Sequence, residues 1–126
     1  MPKILMIDDD PDYTCLIASY FTSQGYEVLL SQSGKEGLAL AGKHKPDIIF
    51  LDVMMPYMNG TEVLKELQAR DETAEIPVVV MTGNYFDKGM HDLFKQEPNC
   101  RAFLSKPVSL EDLRSKVEAL LKKRKI

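Results

Sequence analysis

Five short runs of apolar residues recur along the chain, and longer segments with helical periodicity separate them. The runs lie at residues 4–7, 28–30, 48–51, 78–81 and 102–104, and most are rich in Ile, Val and Leu. Runs this short are typical of buried strands, and the segments between them are long enough for a helix to connect parallel neighbours. The alternation therefore predicts an α/β fold in which helices cover both faces of a parallel sheet.

The predicted helices have recognisable starts. Asp10 is a helix-capping residue, and Pro11 follows it at the first helical position. Gly25 follows the first predicted helix, where a left-handed C-cap is expected. Three further starts pair a capping residue with an acid three positions later: Ser33 with Glu36, Asn59 with Glu62, and Ser109 with Asp112. The elements form five strand–helix units, and we predict one domain over residues 1–126.

Composition excludes several classes of protein. Of the 126 residues 44% are apolar and 28% are charged, which is the balance of an ordinary globular protein. The net charge of -3 gives no global reason to expect nucleic acid or an anionic membrane as a partner. No apolar run approaches the about 20 residues of a membrane span, and the N-terminus lacks a signal-peptide pattern, so we expect a cytoplasmic protein. Cys15 and Cys100 are expected to be reduced structural thiols.

Polar residues follow four of the five predicted strands. Asp8 and Asp9 come after the first strand, Asp52 ends the third, Thr82 ends the fourth, and Lys106 follows the fifth. Because the carboxyl ends of parallel strands meet at one edge of a sheet, these side chains are expected in one crevice. An isolated Asp after a strand is often only a turn or capping residue, so the combination carries the argument.

Three carboxylates in a small pocket need a cation to neutralise them. Oxygen ligands favour Mg²⁺, with Mn²⁺ as an alternative, over zinc, and neither His44 nor His91 has zinc-site spacing. A carboxylate nucleophile beside a metal and an ammonium group indicates phosphoryl chemistry. The chain contains neither GxxxxGK[ST] nor GxGxxG, so a metal, Lys106, Thr82 and backbone N–H groups would have to hold the phosphoryl group.

Four segments together carry a family resemblance: "ILMIDDDP", "PDIIFLDVMMPYMNG", "VVVMTG" and "AFLSKP". In this order and at these separations they resemble the receiver domain of bacterial two-component response regulators, and the similarity covers essentially the whole chain. The resemblance implies a doubly wound (βα)5, flavodoxin-like fold. It is a three-layer sandwich whose five-stranded parallel sheet has the order 2-1-3-4-5.

The resemblance also implies a role for each site residue. Asp52 would accept a phosphoryl group from a phosphohistidine of a sensor histidine kinase or a histidine phosphotransfer protein. Asp9, Asp52 and the backbone carbonyl of Met54 would bind Mg²⁺ directly, and Asp8 would act mainly through a metal-bound water. Lys106 would pair with the phosphoryl oxygens.

A switch is implied as well. The Thr82 hydroxyl would move onto the phosphoryl group, and Phe103 would turn inward into the vacated space. This would change the surface of the predicted fourth helix, fifth strand and fifth helix, and so control partner binding. Met54 and Asn84 would flank the path of the water that removes the phosphoryl group. Because an apolar Met54 cannot orient that water, slow self-dephosphorylation is expected.

The chain departs from the family pattern just before the fifth strand. Residues 97–101 read "EPNCR" where an Ala-Gly-Ala-like turn is common, and Phe103 replaces the commoner tyrosine. Pro98 should end the predicted fourth helix. The departures fall on the family's usual output face, so the resemblance does not determine partner choice or the extent of switching, whereas the acidic site is retained.

The first hypothesis is a stand-alone receiver, a signalling switch that catalyses its own phosphorylation and dephosphorylation and has no output enzyme domain. It would bind an unknown downstream protein, with no direct nucleic acid or membrane contact, as a monomer or a phosphorylation-dependent dimer; a receiver cut from a longer protein is a variant. One alternative is a phosphorylation-independent pseudo-receiver. Another is a haloacid-dehalogenase-type phosphatase with Asp8 as nucleophile, which Asp12 and the short chain disfavour.

Overall fold

The computed structural model describes residues 2–53, 60–82, 92, 94–106 and 108–124. Its strands are β1 (Lys3–Ile7), β2 (Glu27–Ser31), β3 (Ile48–Asp52), β4 (Val78–Thr82) and β5 (Cys100–Ser105). Its helices are α1 (Pro11–Ser23), α2 (Gly34–His44), α3 (Gly60–Ala69) and the last helix (Leu110–Arg124). Every predicted strand is present, and each is one to three residues longer than its apolar run.

The five strands form one parallel sheet with the order β2-β1-β3-β4-β5, as the family resemblance implies. Ile4 of β1 lies opposite Ile48 of β3, so the two strands that lead into acidic residues run side by side in the middle of the sheet. The ladder between β4 and β5 has one register shift, between Val78 and Val79. The predicted fold class and strand order are both confirmed.

Two apolar clusters cover opposite faces of the sheet. Because successive side chains of a strand point to opposite faces, Ile49 and Leu51 of β3 enter one cluster while Ile48 and Phe50 enter the other. The first cluster includes buried residues of α2 and α3, among them Leu38, Val63, Leu64 and Leu67. The second includes residues of α1 and the last helix, namely Ile17, Phe21, Leu113 and Val117. The sheet thus lies between two helical layers, which is the predicted three-layer sandwich.

Local capping fixes where the helices begin and end. The Asp10 side chain accepts hydrogen bonds from the backbone N–H groups of Asp12 and Tyr13 at the start of α1. Gly25 has φ +91, the left-handed conformation expected after that helix. Ser33 and Ser109 accept hydrogen bonds from the N–H groups of Glu36 and Asp112, at 3.2 and 3.3 Å. The predicted cap at Asn59 lies outside the described residues.

The segment before β5 is attached to α3 by a buried amide. Asn99 is 2% exposed, and its side-chain N–H donates to the backbone carbonyl of Leu64 at 3.2 Å. Gln68 of α3 donates to both the Asn99 carbonyl and the Glu97 carboxylate. The departure from the family pattern therefore forms a defined structure. The predicted fourth helix lies mostly outside the described residues, although Asp92, Phe94 and Lys95 are helical.

Among the residues that the structure describes, no helix is long and apolar enough to cross a membrane.

Candidate functional site

Three carboxylates come together where β1 and β3 end. One oxygen from each of Asp8, Asp9 and Asp52 lies within 4.8 Å of the others. Asp8 and Asp52 are 0% and 5% exposed, whereas Asp9 is exposed to solvent. Like charges held this close repel one another, and a cation between them would offset that repulsion. The donor set consists of hard carboxylate oxygens, which fits a divalent cation such as Mg²⁺.

Backbone hydrogen bonds fix the ends of both acidic strands. The N–H of Asp8 donates to the carbonyl of Ser31 in β2 at 3.0 Å, and its side chain accepts from the N–H of Asp10 at 2.9 Å. Beyond Asp52, the N–H of Val53 donates to the carbonyl of Met81 in β4 at 3.0 Å. The two buried acids therefore occupy positions that neighbouring strands determine.

Gly60, the first residue of α3, approaches the end of β3 very closely. Its N–H donates to the carbonyl of Val53 at 2.9 Å. A Cβ atom at position 60 would lie 2.8 Å from the Cα of Val53 and 3.0 Å from the carbonyl oxygen of Asp52. Only glycine fits between the helix and the strand here, so this position helps to hold the backbone of Asp52 in place.

Lys106 brings positive charge to the carboxylates. Its Nζ lies 2.6 Å from Asp8 Oδ2 and 3.9 Å from Asp52 Oδ1, and its backbone N–H donates to the carbonyl of Thr82 at 2.7 Å. Burial by itself would lower the pKa of Lys106, but the hydrogen bond with Asp8 and the charges of Asp52 and Asp8 outweigh it and raise that pKa. The ammonium group is therefore charged at neutral pH.

Tyr13 is a part of this site that the sequence analysis missed. The Nζ of Lys106 lies over the Tyr13 ring, 4.5 Å from its centroid. Burial raises the pKa of Tyr13, and the charge of Lys106 partly opposes that effect. The sequence shows an aromatic residue in the first turn of the helix that follows the acids. Nothing in the sequence indicates that Lys106 lies over its ring.

The other two predicted site residues that the structure describes, Thr82 and Phe103, lie in different surroundings. Thr82 ends β4, is 2% exposed and lies opposite Ser105 in the ladder with β5. Phe103 of β5 is half-buried, and its ring packs against Phe94 with the centroids 5.5 Å apart. Thr82 is thus at the same sheet edge as the acids, whereas Phe103 contacts the segment before β5. The proposed roles of Met54 and Asn84 concern positions outside the described residues.

The geometry matches what the family comparison finds. A model of the response regulator receiver domain matches residues 4–118. The chain belongs to this receiver family. The match covers the three carboxylates, Lys106 and all five strands except Lys3 at the start of β1.

Individual relatives of this receiver domain include proteins of similar length. Protein PilH of Pseudomonas aeruginosa is 32% identical over 121 residues, which cover 96% of this chain and 98% of PilH. The polar-differentiation response regulator DivK of Brucella anthropi is 37% identical over 111 residues, which cover 87% of this chain and 89% of DivK. The chemotaxis protein CheY4 of Vibrio cholerae superimposes with a TM-score of 0.87 at 27% identity, over 95% of this chain and 98% of CheY4.

Proposed function

We propose that this receiver domain accepts a phosphoryl group on Asp52 in a Mg²⁺-dependent reaction. One observation carries the proposal: Asp52 is buried within 4.8 Å of two further carboxylates and 3.9 Å from the Lys106 ammonium. An Asp52 oxygen would attack the phosphorus of a phosphohistidine. The P–N bond would break as the new P–O bond forms, and the imidazole would leave with the bonding electron pair and take up a proton.

Asp8, Asp9 and Asp52 are the described residues that would hold the metal, joined in the proposal by the backbone carbonyl of Met54. A bound Mg²⁺, or Mn²⁺ as an alternative, supplies positive charge that neutralises the phosphoryl oxygens. Asp8 is in direct contact with Lys106, which agrees with its proposed indirect role through a water molecule. The proposal makes phosphorylation depend on the cation, because the carboxylates otherwise repel the incoming anion.

Lys106 and Thr82 would stabilise the phosphoryl group once it is attached. Lys106 needs to shift its ammonium from Asp8 toward the new oxygens, and its four-carbon side chain permits that movement. Thr82 would donate its hydroxyl hydrogen to another phosphoryl oxygen. Phe103 would then turn inward from its contact with Phe94 and change the surface of β5 and its neighbouring helices.

Loss of the phosphoryl group would be slow. Met54 and Asn84 are proposed to flank the path of the attacking water, and the apolar Met54 side chain offers it no hydrogen bond. A Met54→Asn variant should lose the phosphoryl group faster than the wild type does. We propose that this receiver works as a switch between a phosphorylated and an unphosphorylated state that exchange slowly. Self-catalysed turnover is then secondary to its signalling role.

The proposed partners follow from the same chemistry. A sensor histidine kinase or a histidine phosphotransfer protein would supply the phosphoryl group, and the switched surface would control a downstream protein. We propose that residues 1–126 form one receiver domain that acts in the cytoplasm, as a monomer or a phosphorylation-dependent dimer, without direct contact with nucleic acid or membrane. The relative DivK is a polar-differentiation response regulator, which supports a signalling role for this receiver.

The test is intact mass after incubation with acetyl phosphate, with and without Mg²⁺. We expect one added phosphoryl group on the wild type only when Mg²⁺ is present, and none on Asp52→Asn. Asp47→Asn is the matched control, because Asp47 precedes the same strand at its opposite end and accepts a hydrogen bond from the Lys3 N–H at 2.8 Å. Wild-type protein that stays unmodified while a known receiver is labelled would contradict the proposal.

A further inference from the structure

We propose that Tyr13 is a positioning residue for Lys106: its ring face holds the ammonium group beside the carboxylates of Asp8 and Asp52. The proposal rests on the proposed phosphoryl-acceptor function and adds a residue to it. Three groups surround the ammonium: Asp8 at 2.6 Å, Asp52 at 3.9 Å and the centroid of the Tyr13 ring at 4.5 Å. An aromatic face at that distance attracts a cation through its negative central potential.

Tyr13 is itself held in place from several sides. It lies in the first turn of α1, and its backbone N–H donates to the capping side chain of Asp10 at 3.3 Å. Its hydroxyl donates to the Met81 sulfur of β4 at 4.0 Å. The ring therefore reaches from the start of α1 to β4 and to the lysine. A ring fixed in this way can restrict a flexible side chain.

Lys106 needs such a restriction more than the acids do. It follows β5, a strand at the edge of the sheet in which none of the six residues is fully buried. A lysine side chain loses substantial rotamer entropy when it is confined to one geometry. The ring allows the ammonium to move between Asp8 and the phosphoryl group on Asp52, because attraction to an aromatic face has little directional preference across it. An aliphatic side chain at position 13 would fill the space without this attraction.

Three variants separate the effect of the ring on the rate from the effect of the hydroxyl and from a general loss of helix stability. Tyr13→Leu removes the aromatic face, Tyr13→Phe removes only the hydroxyl, and Tyr20→Leu makes the same change on another half-buried tyrosine of α1. The rate of phosphorylation by acetyl phosphate at saturating Mg²⁺ should fall about fivefold to tenfold in Tyr13→Leu, the scale of a half-buried cation–π contact. Tyr13→Phe keeps the ring face and the backbone hydrogen bond to Asp10, so it should remain within about twofold of wild type, as should Tyr20→Leu.

A Lys106→Gln background tests whether Tyr13 acts through the lysine. Adding Tyr13→Leu to Lys106→Gln should cause no further slowing, because the cation that the ring attracts is already absent. Equal slowing by Tyr13→Leu in both backgrounds would overturn the proposal, as would a Tyr13→Leu rate equal to that of Tyr20→Leu.

Nuclear magnetic resonance provides a readout that needs neither metal nor phosphodonor. The ε-methylene protons of Lys106 should be shifted upfield by the ring in the wild type and in Tyr13→Phe, and should return toward ordinary values in Tyr13→Leu. The same signal in all three proteins would overturn the positioning role. If the wild type accepts no phosphoryl group, the proposed function fails, and the Lys106 signal alone decides whether Tyr13 holds the ammonium group.

Discussion

The acidic and basic sides of the site come from strands in different environments. Asp8, Asp52 and Thr82 lie at the ends of β1, β3 and β4, three central strands in which every described residue except Lys3 is buried. Lys106 follows β5, whose residues are all half-buried or exposed. The fold therefore holds the two buried carboxylates within its central strands, and the ammonium group comes from an edge strand that is packed on fewer sides.

This difference suits the switch that we propose. The phosphorylated residue has to stay in a fixed place, because the attacking oxygen, the metal ligands and the ammonium must converge within hydrogen-bond distances. The side chains proposed to respond to phosphorylation, Phe103 and Lys106, would have to move, and both belong to the edge region. β2, the other edge strand, is also partly exposed, but none of the proposed site residues lies on it.

The largest expected effect is a difference in stability between variants of two phenylalanines. Phe50 lies on the central strand β3, and Phe103 lies on the edge strand β5. Phe50 of β3 is 0% exposed and packs against Phe21 with the centroids 5.5 Å apart, whereas Phe103 of β5 is half-buried. We expect Phe50→Ala to lower the free energy of unfolding by about 3–5 kcal/mol, because it leaves a cavity in the core. Phe103→Ala should cost about 1 kcal/mol. Urea unfolding measures both, and equal losses would break the comparison.

An intermediate effect is expected for two glycines. Gly60→Ala should destabilise the protein by about 1–3 kcal/mol, because its Cβ would meet the backbone of Val53 at 2.8 Å. It should also slow phosphorylation, since the end of β3 must shift.

Gly42 of α2 is the matched control for Gly60. A Cβ there would meet only the end of the Glu72 side chain, at 3.8 Å. Gly42→Ala should therefore stabilise the protein by about 0.5–1 kcal/mol through helix propensity. Thermal unfolding of the two variants measures this difference, and a Gly60→Ala protein as stable and as reactive as wild type would show that the end of β3 is less constrained than its contacts indicate.

The smallest effect concerns the reactivity of the two cysteines and leaves stability unchanged. It tests how well the start of β5 is buried. Burial raises the pKa of the Cys100 thiol from 9.0 to about 11, while Cys15 on α1 is exposed. At pH 8 the Cys100 thiolate should be about a hundredfold scarcer than that of a thiol with the ordinary value, so iodoacetamide should modify Cys15 first. The Cys100 rate should rise about tenfold per pH unit up to pH 10.

Peptide mass spectrometry over a time course measures both cysteines in one sample. Modification of Cys100 as fast as Cys15 at pH 8 would mean that the start of β5 opens frequently, and that the weaker constraint on the edge applies to the whole strand.

Local patterns predicted the elements and the site's composition. The five strands, the caps at Asp10, Ser33 and Ser109, and the positive φ of Gly25 could all be predicted from neighbours in sequence, because capping and periodicity act over a few residues. The three acids and Lys106 could be placed at one edge because parallel strands share a direction. The strand order itself came from family resemblance and not from periodicity.

Only the tertiary structure decided the contacts between side chains that are distant in the chain. Three such contacts depend on which elements become neighbours. They are the 2.6 Å pairing of Lys106 with Asp8, the Tyr13 ring beneath that lysine, and the hydrogen bond from the buried Asn99 amide to α3. The sequence by itself determined that the three acids, Thr82 and Lys106 reach one edge of the sheet, whereas Tyr13 was found only in the structure. Their distances were decided by packing, because a difference of an ångström in where a helix meets a strand leaves no trace in local periodicity.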